Sequence, residues 1–250
     1  MILEVPAFQD NYIWIITDRQ QRYAAVVDPG DAAPVIAALD EKDLTLRALL
    51  ITHHHADHSG GIDALVDHAA HRDPAYLMPV YGPAGEAITG VNRPLADGDQ
   101  VEIPECDVEL SVMSVPGHTL GHIAYVGRAG SGDPVLFCGD TMFAAGCGRL
   151  FEGSPGQMWS SLSRLAALPP ETAVYCAHEY TLGNLRFAAH VLPQDAPIAA
   201  RLAQVSRMRE LGTSTVPSRI GVEIATNPFL RCRNAEEFAL MRSRKDSFRG

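Results

Sequence analysis

The sequence predicts an α+β protein: two sheets covered by helices, followed by a small and mostly helical C-terminal unit. Short β-rich runs closed by turn residues dominate residues 1–180, stretches of helical spacing stand between some of them, and after Tyr180 the strands give way to helix-like segments. With 250 residues, 46% of them hydrophobic, the chain is long and apolar enough to bury a sizeable core.

The first strands are Ile2-Leu3-Glu4-Val5, Tyr12 to Ile16, and Tyr23 to Val27, the last stopped by Asp28-Pro29-Gly30. Helical spacing runs over Ala33 to Leu39, and Ala48-Leu49-Leu50-Ile51 is a short apolar run expected to be a buried strand. A helix over Ile62 to Ala70 follows, then strands at Val108 to Val115, Ile123 to Val126 and Val135 to Cys138. Met158 to Leu168 is helical, and Ala173 to Cys176 is the last strand. The tail reads as helices over Leu185 to Val191 and Ile198 to Leu211, a Pro-punctuated loop, and a final helix from about Ala235 to Lys245. No internal repeat or low-complexity tract interrupts this order.

Charge marks the same division. Residues 1–180 carry 9 Lys and Arg against 24 Asp and Glu, a net −15, whereas residues 181–250 carry 11 against 6, a net +5. Two units are therefore expected, 1–180 and 181–250, the second too small to bury much core alone and so packed against the first. The overall −10 argues against general attraction to nucleic acid or an anionic membrane. Five cysteines, odd in number and without a C-x-x-C pair, are read as reduced core or near-core thiols in a reducing compartment. The N-terminus lacks a basic leader and its apolar run is too short to span a bilayer, so a complete cytoplasmic chain is expected.

Thr52-His53-His54-His55-Ala56-Asp57-His58 follows directly on the buried run ending at Ile51. In extended chain His53 and His55 share a face while His54 points away, and the next turn offers Asp57 and His58 to a second ion. Imidazole nitrogen and carboxylate oxygen suit Zn, Fe(II) or Mn without a thiolate. A solvated His-rich loop or a tag remnant would seldom follow a buried strand so closely. Three more candidate ligands stand just beyond strands: His118 in Pro116-Gly117-His118-Thr119, Asp140 after Gly139, and His178 after Ala177. Five His and two Asp suit two metal ions sharing one carboxylate. Two dications, two aspartates and a bridging hydroxide leave about +1, which favours an anionic transition state.

T-H-H-H-A-D-H-S-G-G, P-G-H-T-L-G-H, F-C-G-D-T-M-F and C-A-H-E-Y-T resemble the metallo-β-lactamase superfamily. With A-G-C-G-R-L-F-E-G, T-V-P-S at 215–218, N-P-F at 227–229 and R-K-D at 244–246, the chain is similar to the glyoxalase II branch, hydroxyacylglutathione hydrolase, over nearly its whole length. The resemblance implies an αββα sandwich with a C-terminal helical substrate-binding domain. It implies two divalent metal ions, zinc first with iron or manganese as alternatives. His53, His55 and His118 would hold one, Asp57, His58 and His178 the other, and Asp140 would bridge them; His54 and His122 match positions that do not ligate. Glutathione contacts map to Arg149, Phe151, Tyr180, Arg242 and Lys245. Position 151 is Phe where the resemblance implies Tyr, which removes one hydroxyl contact, and Arg149 replaces the Lys often found there.

The implied activity is hydrolysis of S-(2-hydroxyacyl)glutathione, typically S-D-lactoylglutathione, to the 2-hydroxy acid and glutathione, the second step of methylglyoxal detoxification. Metal coordination lowers the pKa of water from ~15.7 to about 7, so a bridging hydroxide is the expected nucleophile, with Asp57 and Asp140 as its catalytic carboxylates. A thiol leaves readily as thiolate because its pKa is about 8.5, so no separate general acid is demanded. The substrate is a small molecule, and no nucleic-acid module or membrane segment is evident; a monomer is expected. The nearest rival is a persulfide dioxygenase with one Fe(II), against which the tail motifs speak. A β-lactamase or lactonase leaves the basic tail unexplained, and a non-catalytic metal-dependent scaffold would be marked by a lost ligand.

Overall fold

Strands that are apolar on both faces need cover on both sides, and the order of elements supplies it. The computed structural model describes residues 1–130 and 132–249. It divides into a first unit of Met1–Ser114 with Gly121–Gly139, and a second of Val115–Leu120 with the described residues from Asp140 onward.

In the first unit β1 (Ile2–Ala7), β2 (Asn11–Thr17) and β3 (Tyr23–Val27) pair antiparallel in succession. α1 (Ala32–Glu41), capped by the Asp31 side chain accepting from the Ala33 N–H, crosses over to β4 (Thr45–Leu50), which is parallel to β3. A single turn, α2 (Ala56–Ser59), and the longer α3 (Ile62–Arg72) lead to the parallel strands β5 (Val80–Pro83) and β6 (Arg93–Leu95). Every residue of β2 is buried. Ile13 and Ile15 join Val26, Leu49 and Ile51 in one cluster with Val35 and Leu39 of α1 and Leu65 of α3, while Trp14 and Ile16 alternate to the opposite face. Each such buried side chain contributes roughly 1.5–3 kcal/mol.

The first unit also holds an antiparallel meander of β7 (Gln100–Ile103), β8 (Val108–Ser114), β9 (Ile123–Ala129) and β10 (Pro134–Gly139). The wholly buried Tyr125 of β9 donates its hydroxyl to the Ile51 carbonyl at 2.9 Å, tying the meander to the point where the chain leaves β4.

The second unit opens with a two-stranded hairpin, β11 (Met142–Phe143) and β12 (Gly146–Cys147). α4 (Pro155–Ala166) starts on a capping box, with Ser154 and Gln157 each satisfying the other's backbone N–H. β13 (Ala173–Cys176) is followed by α5 (Thr181–Val191) and α6 (Ala196–Glu210), which share a core of Leu185, Ala188, Ile198 and Val205. β14 (Ser218–Arg219) pairs with β13, and α7 (Ile220–Thr226) and α8 (Ala235–Ser247) complete the unit. Glu223 of α7, wholly buried, accepts from the Ala145 N–H at 2.7 Å and from the Arg201 guanidinium at 2.7 Å. Asn227 donates to the Gly146 carbonyl at 2.9 Å, so the segment after β14 clamps the β11–β12 hairpin. α8 carries Glu236 and Glu237 in its first turn and Arg244 and Lys245 in its last, charges that match the helix dipole.

Besides the short α2, the β11–β12 hairpin and β14, two segments differ from the sequence expectation. Residues 76–103 contain β5, β6 and β7, hidden in the sequence by Pro79, Gly82, Pro83 and Pro94 and by their shortness. The tail loop contains α7 and a 3-10 turn at Pro228–Arg231. Gly221 and β-branched neighbours give α7 a weak local propensity, and packing around Glu223 decides the matter instead.

Candidate metal centre and adjoining cavity

In the first unit the end of β4 delivers Thr52 and His53 from the sheet, and the turn after β3 meets them. Asp28 adopts a left-handed backbone (φ 51°), a conformation Asp and Asn tolerate better than most residues. Its buried carboxylate accepts from the Thr52 N–H at 2.8 Å, the Thr52 hydroxyl at 2.7 Å and His58 Nδ1 at 3.1 Å. A carboxylate only accepts, so His58 carries a proton on Nδ1 and presents its buried Nε2 toward Asp57 Oδ2, 3.5 Å away. The Thr52 hydroxyl proton is committed to Asp28, so His53 Nδ1, 3.1 Å from that oxygen, is a donor too. Its Nε2 lone pair then lies 3.1 Å from His55 Nδ1.

Asp57 is held by Asn11, whose amide donates to Oδ2 at 3.1 Å. Gly30 lets the turn after β3 pack directly on the Asp57 backbone: a Cβ there would lie 1.9 Å from the Asp57 carbonyl oxygen. His54 turns instead to Glu86, at 3.0 Å, and His122 stacks on His53 with ring centres 4.5 Å apart.

In the second unit His118 follows β8, Asp140 follows β10 and His178 follows β13. His118 Nδ1 donates to the Arg149 carbonyl at 2.8 Å, so the lone pair of its Nε2 faces Asp140 Oδ2 at 3.3 Å. His178 Nε2 stands 3.3 Å from the other oxygen, Oδ1. A lone pair aimed at a carboxylate is repulsive unless a proton or a metal cation lies between them, and an all-N/O donor set in which outer hydrogen bonds hold Nδ1 of His53, His58 and His118 fits a divalent metal.

Beside these residues the second unit has a cavity of about 670 Å³ lined by Cys147, Arg149, Phe151, Tyr180, Arg242 and Lys245 among others. Phe151 is 63% exposed and stands edge-on to His118 at 5.2 Å, and Tyr180 stacks on His178 at 4.7 Å. Arg242 is buried: Nε donates to Asp246 at 3.0 Å, one terminal nitrogen donates to the Cys147 carbonyl at 3.1 Å, and the guanidinium lies over Phe229. It therefore underlies the cavity wall with most of its donors engaged. Lys245 donates to the Gly183 carbonyl at 3.2 Å, and burial, aided by the Arg242 and Arg149 charges, lowers its pKa to about 8. Burial pushes the Cys147 thiol up to about 12, which removes it as a nucleophile near neutral pH. All five cysteines are free, four of them buried.

Asp28, Asn11 and Glu86 were not singled out from sequence. Asp28-Pro29-Gly30 carried only a turn signal, and a polar residue after a buried strand was the one available clue. Among the described residues no helix is long and apolar enough to cross a membrane.

Residues 7–178 match the family model described as the metallo-beta-lactamase superfamily, and residues 179–248 match that of the hydroxyacylglutathione hydrolase C-terminus. A hydroxyacylglutathione hydrolase of Alkalilimnicola ehrlichii is 56% identical over 230 residues, covering 92% of this chain and 85% of its own. That of Cupriavidus metallidurans is 48% identical over 262 residues, covering 98% of both. Among solved structures, ETHE1 from Myxococcus xanthus superposes with a TM-score of 0.71 at 26% identity, over 97% of this chain and 90% of its own. TTHA1623 in a di-iron-bound form shares the fold, with a TM-score of 0.60 at 24% identity over 92% and 99%.

Proposed function

The chain belongs to the hydroxyacylglutathione hydrolase family of the metallo-β-lactamase superfamily, and on that premise we propose that it hydrolyses S-(2-hydroxyacyl)glutathione, S-D-lactoylglutathione above all, to the 2-hydroxy acid and free glutathione. The observation that carries this reading is the pair of family matches, which together run from residue 7 to residue 248. The N/O donor set with its fixed tautomers supports the binuclear site.

His53, His55 and His118 are assigned to one ion, Asp57, His58 and His178 to the other, and Asp140 to both. Zinc is the first assignment; iron and manganese accept the same donors. When bound, the two ions supply a water-derived nucleophile at neutral pH and polarise the thioester carbonyl. The protein's own groups do the rest. Asp28 and the Arg149 carbonyl orient His58 and His118. Asp57, anchored by Asn11, accepts a hydrogen bond from the attacking water and aims it. The cavity receives the tripeptide, with Arg149 and Lys245 facing its carboxylates, Tyr180 and Phe151 as apolar walls and Arg242 bracing the wall from beneath. The glutathione sulfur leaves as thiolate, so no protein acid is required. Residues 1–180 form the catalytic part and 181–250 the substrate-binding part of a cytoplasmic monomer without nucleic-acid or membrane partners.

The test is release of free thiol from S-D-lactoylglutathione by purified, metal-loaded protein. Turnover abolished by chelation and restored by metal is expected. An intact thioester after incubation with protein shown to hold metal would refute the assignment.

A further inference from the structure

Glu86 lies in the loop after β5, and its side chain is only 4% exposed. One carboxylate oxygen accepts from the backbone N–H of His54 at 2.6 Å and from His54 Nδ1 at 3.0 Å. The other accepts from the N–H of Gly121 at 3.1 Å. His54 sits between His53 and His55, and Gly121 immediately precedes His122, whose ring stacks on His53. A single buried carboxylate thus ties together two loops that meet at His53. Gly121 is part of the device: a Cβ there would lie 2.4 Å from Glu86 Cγ and 3.0 Å from the Gly85 backbone, so only glycine lets the loops close this tightly.

We infer that Glu86 is a positioning residue for the metal cradle, fixing the backbone between His53 and His55 and the loop that backs His53. The inference rests on the proposed function only in taking His53 and His55 as metal ligands. A rigid backbone between two ligands sets their spacing before an ion arrives, so the ion need not order the loop at the moment of binding. A carboxylate suits the task because it accepts at both ends; an amide accepts with one atom and would set its NH2 against an N–H at the other. Glu86→Gln therefore loses either the His54 link or the Gly121 link, with almost no change of volume.

The test compares wild type, Glu86→Ala and Glu86→Gln by ions retained per chain across a chelator series, by thermal midpoints of the metal-free proteins, and by KM and kcat. Both variants are expected to release metal at chelator concentrations roughly tenfold lower than wild type, the low end of the 10–100-fold effect of losing a direct partner of a ligand, because Glu86 acts through the backbone between the ligands. KM for the thioester should stay within about twofold, because glutathione contacts are assigned elsewhere. Wild-type metal retention in a folded Glu86→Gln protein would overturn the inference, as would a Glu86→Ala protein with a lowered metal-free midpoint and unchanged retention. Metal retention is read without substrate, so a chain that binds metal yet leaves the thioester intact would refute the proposed function and not this role.

Discussion

Replacing Asp28 by Asn probes the hydrogen-bond chain behind the metal cradle with little disturbance of shape. Asn tolerates the left-handed backbone at this position as well as Asp does. The Thr52 N–H cannot rotate away from Oδ1, so the amide oxygen must occupy that place and the NH2 must take the place of Oδ2. There it faces the Thr52 hydroxyl at 2.7 Å and His58 Nδ1 at 3.1 Å. His58 Nδ1 then has to accept, which moves its proton to Nε2, the nitrogen needed as a ligand. The Thr52 hydroxyl, now receiving from the amide, is free to donate to His53 Nδ1 at 3.1 Å and drives the same reversal there. Two histidines of the cradle would carry the wrong tautomer. We expect metal affinity to fall roughly 10–100-fold, or ~1.4–2.8 kcal/mol, while the metal-free protein loses about 1–3 kcal/mol for the disturbed hydrogen bonds. Chelator competition with metal analysis measures the first quantity, and urea unfolding of the metal-free protein the second. Unchanged metal affinity in Asp28→Asn would refute the tautomer reasoning.

Two further outcomes are expected. The Lys245 pKa is lowered to about 8, so its positive charge is present below that pH and lost as pH rises through it; KM for the thioester should climb above about pH 8 while kcat holds, and Lys245→Met should remove that rise, whereas a flat KM from pH 7 to about 9.5 would show that Lys245 does not hold a carboxylate. Phe151→Tyr returns a hydroxyl at a position that is 63% exposed, so KM should fall two- to tenfold, about 0.5–1.5 kcal/mol, with the unfolding midpoint unchanged; an unaltered KM would mean that the substrate does not reach this ring.

What could be read from the sequence follows from which residues act locally. Ala48 to Ile51 is an apolar run that signals a buried strand by itself, and all four residues are fully buried. His118, Asp140 and His178 could be picked out because each follows a strand legible from its own residues, β8, β10 or β13. Asp28 and Glu86 act on partners 24 to 35 positions away, through loops whose closure no local pattern encodes. Arg242 shows a related limit: the motif gave its charge, but only the fold shows that Asp246 and the Cys147 carbonyl engage its donors. β5 and β6 stayed hidden because their pairing, not their Gly- and Pro-rich sequence, makes them strands.

The central claim is a binuclear metal-dependent thioester hydrolase, and the most direct measurement is a metal titration of the apoprotein with thiol release from S-D-lactoylglutathione followed at each step. Activity should rise from zero to a plateau at two ions per chain. Saturation at one ion per chain, or no thiol release with two ions bound, would contradict it.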